Sequence, residues 1–216
     1  MSLDLLAPEA RRWLTGPIPA GTRVVVAGVA GGVGTTTVAA LLARTLGATI
    51  TDHSGGSLAA RAGVAEDGGS LAARAGVAEA AGSLAGRVGV AEAGDVVVHD
   101  LGPHAGASSG SALEDPDVVV VIVCASHARG LAAARDAVAA LSPRTVALEQ
   151  RTILVPVAVS GSRHPAKAPD AIRIPRSRAL AAGGPLPTPE RDLRITRAAG
   201  VLAAEVVRRA RWIALG

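Results

Sequence analysis

"RVVVAGVAGGVGTTTVAALLARTLG", Arg23 to Gly47, is the stretch on which the fold turns. An apolar run of the kind that fills a buried strand gives way to glycines at 28, 31, 32 and 34. Three threonines, Thr35 to Thr37, then open a segment with helical spacing that Gly47 stops. A strand, a glycine loop and a helix in that order make an anion site. The loop's backbone N–H groups and the positive end of the helix point at the same spot. Ala30 to Thr37, "AGGVGTTT", has the spacing of a phosphate-binding loop, so Gly31, Gly32, Val33, Gly34, Thr35, Thr36 and Thr37 are the candidate nucleotide contacts. The lysine that such loops use to hold phosphates is absent, and Thr35 stands in its place.

On either side the chain alternates strand-like and helix-like segments. "ATITD", "DVVVHDLG", "DVVVVIVCAS" and "TILVPVAVSGS" read as strands. "ARGLAAARDAVAALS" and "ITRAAGVLAAEVVRRARWI" read as helices. Strands apolar at successive positions, separated by helices, predict a doubly wound, mainly parallel sheet with helices on both faces, a three-layer α/β domain. The expected boundaries are an N-terminal extension over 1–22 and a single domain over 23–216.

One region breaks the alternation. "GSLAARAGVAED" begins at Gly56, "GSLAARAGVAEA" at Gly69 and "GSLAGRVGVAEA" at Gly82, a 13-residue period inserted at about 56–93. Each copy reads as a serine N-cap, a turn or two of helix and a glycine stop. Their near identity points to tandem duplication, either tolerated as an extended loop or used as an interaction surface. From Ser160 to Glu190 the chain is rich in Pro, Gly, Ser and Arg and reads as irregular, with one short strand at "AIRIP".

Composition sets limits on function. Only 1% of the residues are aromatic, so the core must be built from Ala, Val, Leu and Ile. No apolar run reaches the ~20 residues that span a bilayer. The N-terminus lacks the pattern of a signal peptide, and the one cysteine, Cys124, excludes an internal disulfide. A cytoplasmic protein is expected. Charge is uneven: residues 151–216 hold 12 basic and 4 acidic side chains, whereas the first 150 are net acidic. If Arg208, Arg209 and Arg211 line one helix edge, weak, sequence-independent DNA binding is expected from them. The alternative is a solvated arginine face.

Two families use a glycine loop after the first strand. "VAGVAGGVG" is similar to the dinucleotide-binding motif of short-chain dehydrogenases. Their Tyr–Lys chemistry is impossible in a chain without tyrosine whose one lysine, Lys167, lies in a Pro-rich stretch. The wider set of motifs resembles the ParA/MinD group of P-loop ATPases, the SIMIBI class. Ala30 to Thr37 matches six of eight positions of its deviant Walker A motif, Lys-Gly-Gly-Val-Gly-Lys-Thr-Thr. "ITDHSGGSLAARAGV" looks like the Asp-x-Asp-x-x-Gly-Gly-x-Leu segment after the second strand, with Asp52 at its second acidic position. "VVVHDLGPHAG" resembles the Walker B strand, with Asp100 its carboxylate, and "IRIPRSRALAAGG" the Ile-Pro segment before the last helix. The resemblance runs from about Arg23 to Arg211. The Gly-Gly-x-Leu stretch is similar to the CpaE/TadZ-like and actinobacterial septum-site-determining branch, whose members are associated with pilus or secretion machinery and polar placement.

The resemblance implies ATP or ADP with Mg²⁺ as cofactor, with Thr36, Asp100 and Asp52 as the candidate metal residues. It also implies a homodimer, protein partners and recruitment to membrane-associated or polar machinery. The departures fall on chemistry. The phosphate lysine is Thr35, the lysine that reaches a partner's nucleotide is Ala30, and the first acid of Asp-x-Asp is Ile50. The adenine-reading Asn has no counterpart, since Ser160 or Ser162 stands there. The expectation is a degenerate, non-hydrolysing ATPase fold that works through protein partners. The alternative is a working ATPase whose cation comes from a second subunit, and a minor alternative is a dinucleotide-binding Rossmann protein without the Tyr–Lys chemistry.

Overall fold

The computed structural model describes residues 6–53, 61, 96–103, 110–145, 147–159 and 168–215. Five parallel strands form one sheet. They are β1 (Arg23–Gly28), β2 (Thr49–Asp52), β3 (Val97–Asp100), β4 (Val118–Ala125) and β5 (Thr152–Val157), in the spatial order β2-β3-β1-β4-β5. The larger helices are α1 (Pro8–Thr15), α2 (Thr35–Leu46), α4 (Ala128–Leu141) and α7 (Leu193–Ala214). Short turns of helix lie at α3 (Gly110–Glu114), α5 (Leu148–Arg151) and α6 (Arg178–Ala181). This is a three-layer α/β fold.

Strand residues alternate between the two faces, as the pleat requires. Val24, Val26, Val119, Val121 and Val123 join a core shared with α1, α2 and α7. Val25, Ala27, Val120, Ile122 and Cys124 face the other way, onto Leu113, Leu131, Ala134 and Leu148. All eight residues of β4 are buried, as befits a central strand covered on both faces. Cys124 is one of them, and burial pushes its thiol up to about 11, so it stays a protonated, unreactive packing residue at neutral pH.

The stretch expected as an N-terminal extension contributes α1, which docks on α7. Leu6, Ala10 and Leu14 are buried in the larger core, and Leu6 occupies the space that the missing side chain of Gly200 leaves on α7. Arg211 fixes the pair by donating to the Trp13 and Pro17 carbonyls, with its guanidinium over the Trp13 ring, 5.1 Å from the centroid. The strand read at "AIRIP" is a single parallel bridge, Val157 to Ile174, flanked by Ile172 N–H donating to the Leu154 carbonyl.

Apart from Arg61, the 13-residue repeats lie outside the described residues, as do Ser160 and Ser162. On the sequence pattern, one copy is expected to fill the segment after β2 and the other two to be an insertion. Deleting one period, Gly69 to Ala81, restores the same residue types at the junction and is expected to leave the fold intact. Thermal unfolding checks this: a shift of a few degrees, the size of about 1 kcal/mol, is expected. Collapse of the chain shows instead that the repeats belong to the core.

Candidate functional site

The strand order reverses beside β1. The chain leaves β1 for one side of the sheet through β2 and β3, then crosses to β4 on the other side. In open parallel sheets, ligands bind in the crevice outside the carboxyl ends of the strands at such a switch point. The glycine loop sits there, running from the end of β1 into α2. Gly32 at φ 74° and Gly34 at φ 94° adopt left-handed backbone that a side chain disfavours. Gly34 is also the N-cap of α2, and no side chain caps that helix. A glycine at that position offers the first N–H groups no side-chain acceptor of its own.

The loop's own residues divide by exposure. Ala30, Gly31 and Gly32 are exposed, Gly34 and Thr36 half-buried, and Val33, Thr35 and Thr37 buried. The Thr35 hydroxyl lies against the end of β1, and a β-carbon on Gly28 would overlap its Oγ1. The position where a phosphate-binding lysine is expected thus holds a short hydroxyl packed against backbone.

Asp100 closes β3 and is fully buried. By strand alternation it shares the α2 face with Val98, and it is in register with Val26 of β1 on one side and Asp52 of β2 on the other. Its Oδ1 accepts the Gly102 N–H at 2.9 Å, and the Gly102 carbonyl in turn accepts the Gly28 N–H at 2.8 Å. The carboxylate and the β1 terminus are therefore held by one short hydrogen-bonded loop. Asp52 is exposed, and Ile50 is part-buried against the apolar core. Thr36, Asp100 and Asp52 come from three adjoining elements, α2, β3 and β2. Among the described residues no cluster of three or more His, Cys, Asp or Glu could hold a metal ion. These three residues offer two carboxylates and a hydroxyl, fewer than a magnesium shell needs, so waters or phosphate oxygens would have to complete one there.

Two features went unread in the sequence. A cleft of about 420 Å³ opens beside the loop. Gly32, Gly34 and Thr37 form one wall, and Pro175, Arg176 and Ser177 of the Ile-Pro segment form another. Arg61, from the first repeat, also borders it. The sequence did signal Arg61, since the arginine recurs at Arg74 and Arg87 in the other copies. Arg23 and Arg44, the cations closest to the loop in sequence, are engaged elsewhere: Arg23 pairs with Asp115 at 2.7 Å, and Arg44 donates to the Pro187 carbonyl. The second feature is a stacked histidine pair, with His53 Nε2 and His99 Nδ1 3.2 Å apart. Burial, then the neighbouring charges of His53 and Arg23, lowers the pKa of His99 and favours its neutral form. The dipeptides Asp52-His53 and His99-Asp100 at two strand ends were the available signal.

At the far end of the chain, Arg208 and Arg209 both pair with Glu205 at 2.7 Å. With Arg211 held on α1, much of the charge on this helix edge is directed into the protein. Among the described residues no helix is long and apolar enough to cross a membrane. In comparison with known proteins, the chain matches no protein-family model and no curated protein at a significant level.

Proposed function

We propose that this chain is a degenerate P-loop protein of the ParA/MinD type, a positioning or assembly factor that acts through protein partners and does not hydrolyse nucleotide. The observation that carries the reading is a phosphate-loop backbone at the sheet's switch point with catalytic positions filled by groups of the wrong chemistry. Thr35 is short and packed against Gly28, Ala30 offers a methyl group to solvent, and Ile50 turns an apolar side chain to the core. Phosphoryl transfer relies on positioning and on stabilising charge in the transition state. Losing one such stabilising group costs roughly 3 kcal/mol, and here two lysines and one carboxylate are replaced together.

What remains suits holding rather than cleaving. The glycine cradle, the uncapped start of α2, the Thr36 hydroxyl and the buried Asp100 are the groups that would hold ATP or ADP with Mg²⁺. The association with pilus, secretion or septum machinery, action from the cytoplasm and a homodimeric state belong to the same proposal. They rest on the resemblance.

The purified protein, mixed with ATP and Mg²⁺, is expected to release no phosphate above background while nucleotide retention is measured in parallel. Turnover that disappears in Asp100→Ala overturns this reading. It favours instead a working ATPase whose missing cation comes from a second subunit.

A further inference from the structure

The cleft beside the glycine loop has a charge of its own. Of the twelve described residues that line it, two are arginines, Arg61 and Arg176, and none is acidic. Arg61 is held in place from two directions. Its Nη1 donates to the Leu180 carbonyl at 3.0 Å, and its own carbonyl accepts the Leu186 N–H at 2.9 Å. A guanidinium has five N–H donors in a rigid fork, so one bond to Leu180 leaves the rest for a ligand. Arg176 is exposed and makes no ion pair among the described residues. A third group belongs with them. Thr37 lines the same cleft and is only 6% exposed. A threonine hydroxyl can both donate to and accept from a group bound there.

We propose that Arg61 and Arg176 replace the missing lysine, gripping a diphosphate group in this cleft against Thr37 and the glycine loop. The inference rests on reading the loop as a phosphate cradle and adds the cations that the loop itself lacks. Arginine forks suit this ligand because they meet phosphate oxygens in pairs. The two arginines arrive from the first repeat and from the Ile-Pro segment, so a bound diphosphate would tie both to the start of α2. The size suits a ligand larger than a bare ion, since the cleft of about 420 Å³ lies within the usual range of small-molecule sites. Val157, Val159, Pro175 and Leu180 also line the cleft and give the rest of such a molecule apolar surface to meet.

The test is calorimetric titration of the full chain with ADP, with pyrophosphate and with adenosine. Arg61→Gln and Arg176→Gln are compared with the parent, and Arg12→Ala on α1 serves as the control. Glutamine at 61 removes the charge and ends two bonds short of the Nη1 that donates to the Leu180 carbonyl, so melting temperatures are measured alongside to show that each variant stays folded. Each glutamine variant is expected to bind ADP and pyrophosphate about tenfold more weakly, and the double variant about 100-fold more weakly. Arg12→Ala is expected to bind like the parent. ADP binding tighter than pyrophosphate identifies the ligand as a nucleotide. Equal binding of the two, with the same loss in the variants, identifies a free diphosphate held by the same arginines. Folded glutamine variants that bind like the parent overturn the assignment, as does a parent that binds neither anion at low salt. Phosphate release is scored separately. Turnover of ATP therefore sinks the non-hydrolysing reading without touching the arginines, and unaltered binding in the variants sinks the arginines alone.

Discussion

Calorimetry on the double variant Ala30→Lys, Thr35→Lys is expected to show ADP bound about 100-fold more tightly than by the parent, because each ammonium adds a charge-assisted contact of about 1.5–3 kcal/mol. The backbone that would receive the phosphates is already shaped, with Gly32 and Gly34 in left-handed conformation and the start of α2 uncapped. A lysine at 30 begins from an exposed position and needs no repacking. A lysine at 35 must leave the spot against Gly28 where the threonine hydroxyl sits, and its stem loses rotamer freedom in doing so. That ordering cost, and repulsion from the arginines of the cleft, keep the gain near two orders of magnitude. If the double variant stays folded and binds no nucleotide, the loop is not a phosphate cradle in shape.

The second large effect is on stability. Arg151 closes α5 immediately before β5 and is 1% exposed. Its Nη1 donates to the Val118 carbonyl at 3.0 Å and its Nη2 to the Leu113 carbonyl at 2.7 Å. The β4–β5 ladder begins at Val120 opposite Thr152, so Val118 lies beyond the reach of a strand partner on that side. The arginine thus satisfies a carbonyl where the sheet stops and another at the end of α3. Burial lowers the pKa of Arg151, and the charges of Asp115 and Asp117 oppose that shift. Arg151→Ala removes the donors, leaves two buried carbonyls unsatisfied and opens a cavity where the stem lay. Each orphaned group costs about 1–3 kcal/mol, and relief of the buried charge offsets only part of the total. A net loss of about 3 kcal/mol corresponds to a fall of roughly 6–12 °C in Tm for a chain of this size. Arg151→Met, which keeps the stem and loses the donors, is expected to fall between alanine and the parent. A far-UV circular dichroism melt of Arg151→Ala that coincides with the parent's would falsify this account.

The layers were legible because β1, β4, α2, α4 and α7 each carry an uninterrupted local pattern. "VVVVIVCA" can be buried only on both faces, and the observed β4 spans those eight residues. Gly47 was readable as a stop because the helix needs a left-handed residue there, which it has at φ 67°. What the sequence withheld was partnership at long range. "PEARRWLT" has the amphipathic spacing of a helix, but nothing in it says that α7 is the surface it covers. Arg61 and Arg176 belong to segments far apart in the chain, and their meeting at one cleft depends on the crossover of the sheet. Arg151 shows the same limit: an arginine before a strand reads as solvated, and only the packed structure gives it carbonyls to satisfy.

The chain contains no tyrosine and two tryptophans, Trp13 and Trp212. Trp13 lies on α1 beneath the Arg211 guanidinium, and Trp212 stands 45% exposed in the last turn of α7. Neither lines the cleft beside the glycine loop. Intrinsic fluorescence is therefore a spectroscopic probe of how the two ends of the chain clasp each other. Undocking of α1 will dominate the emission change. Ligand entry at the switch point will be optically silent unless it is transmitted to that clasp.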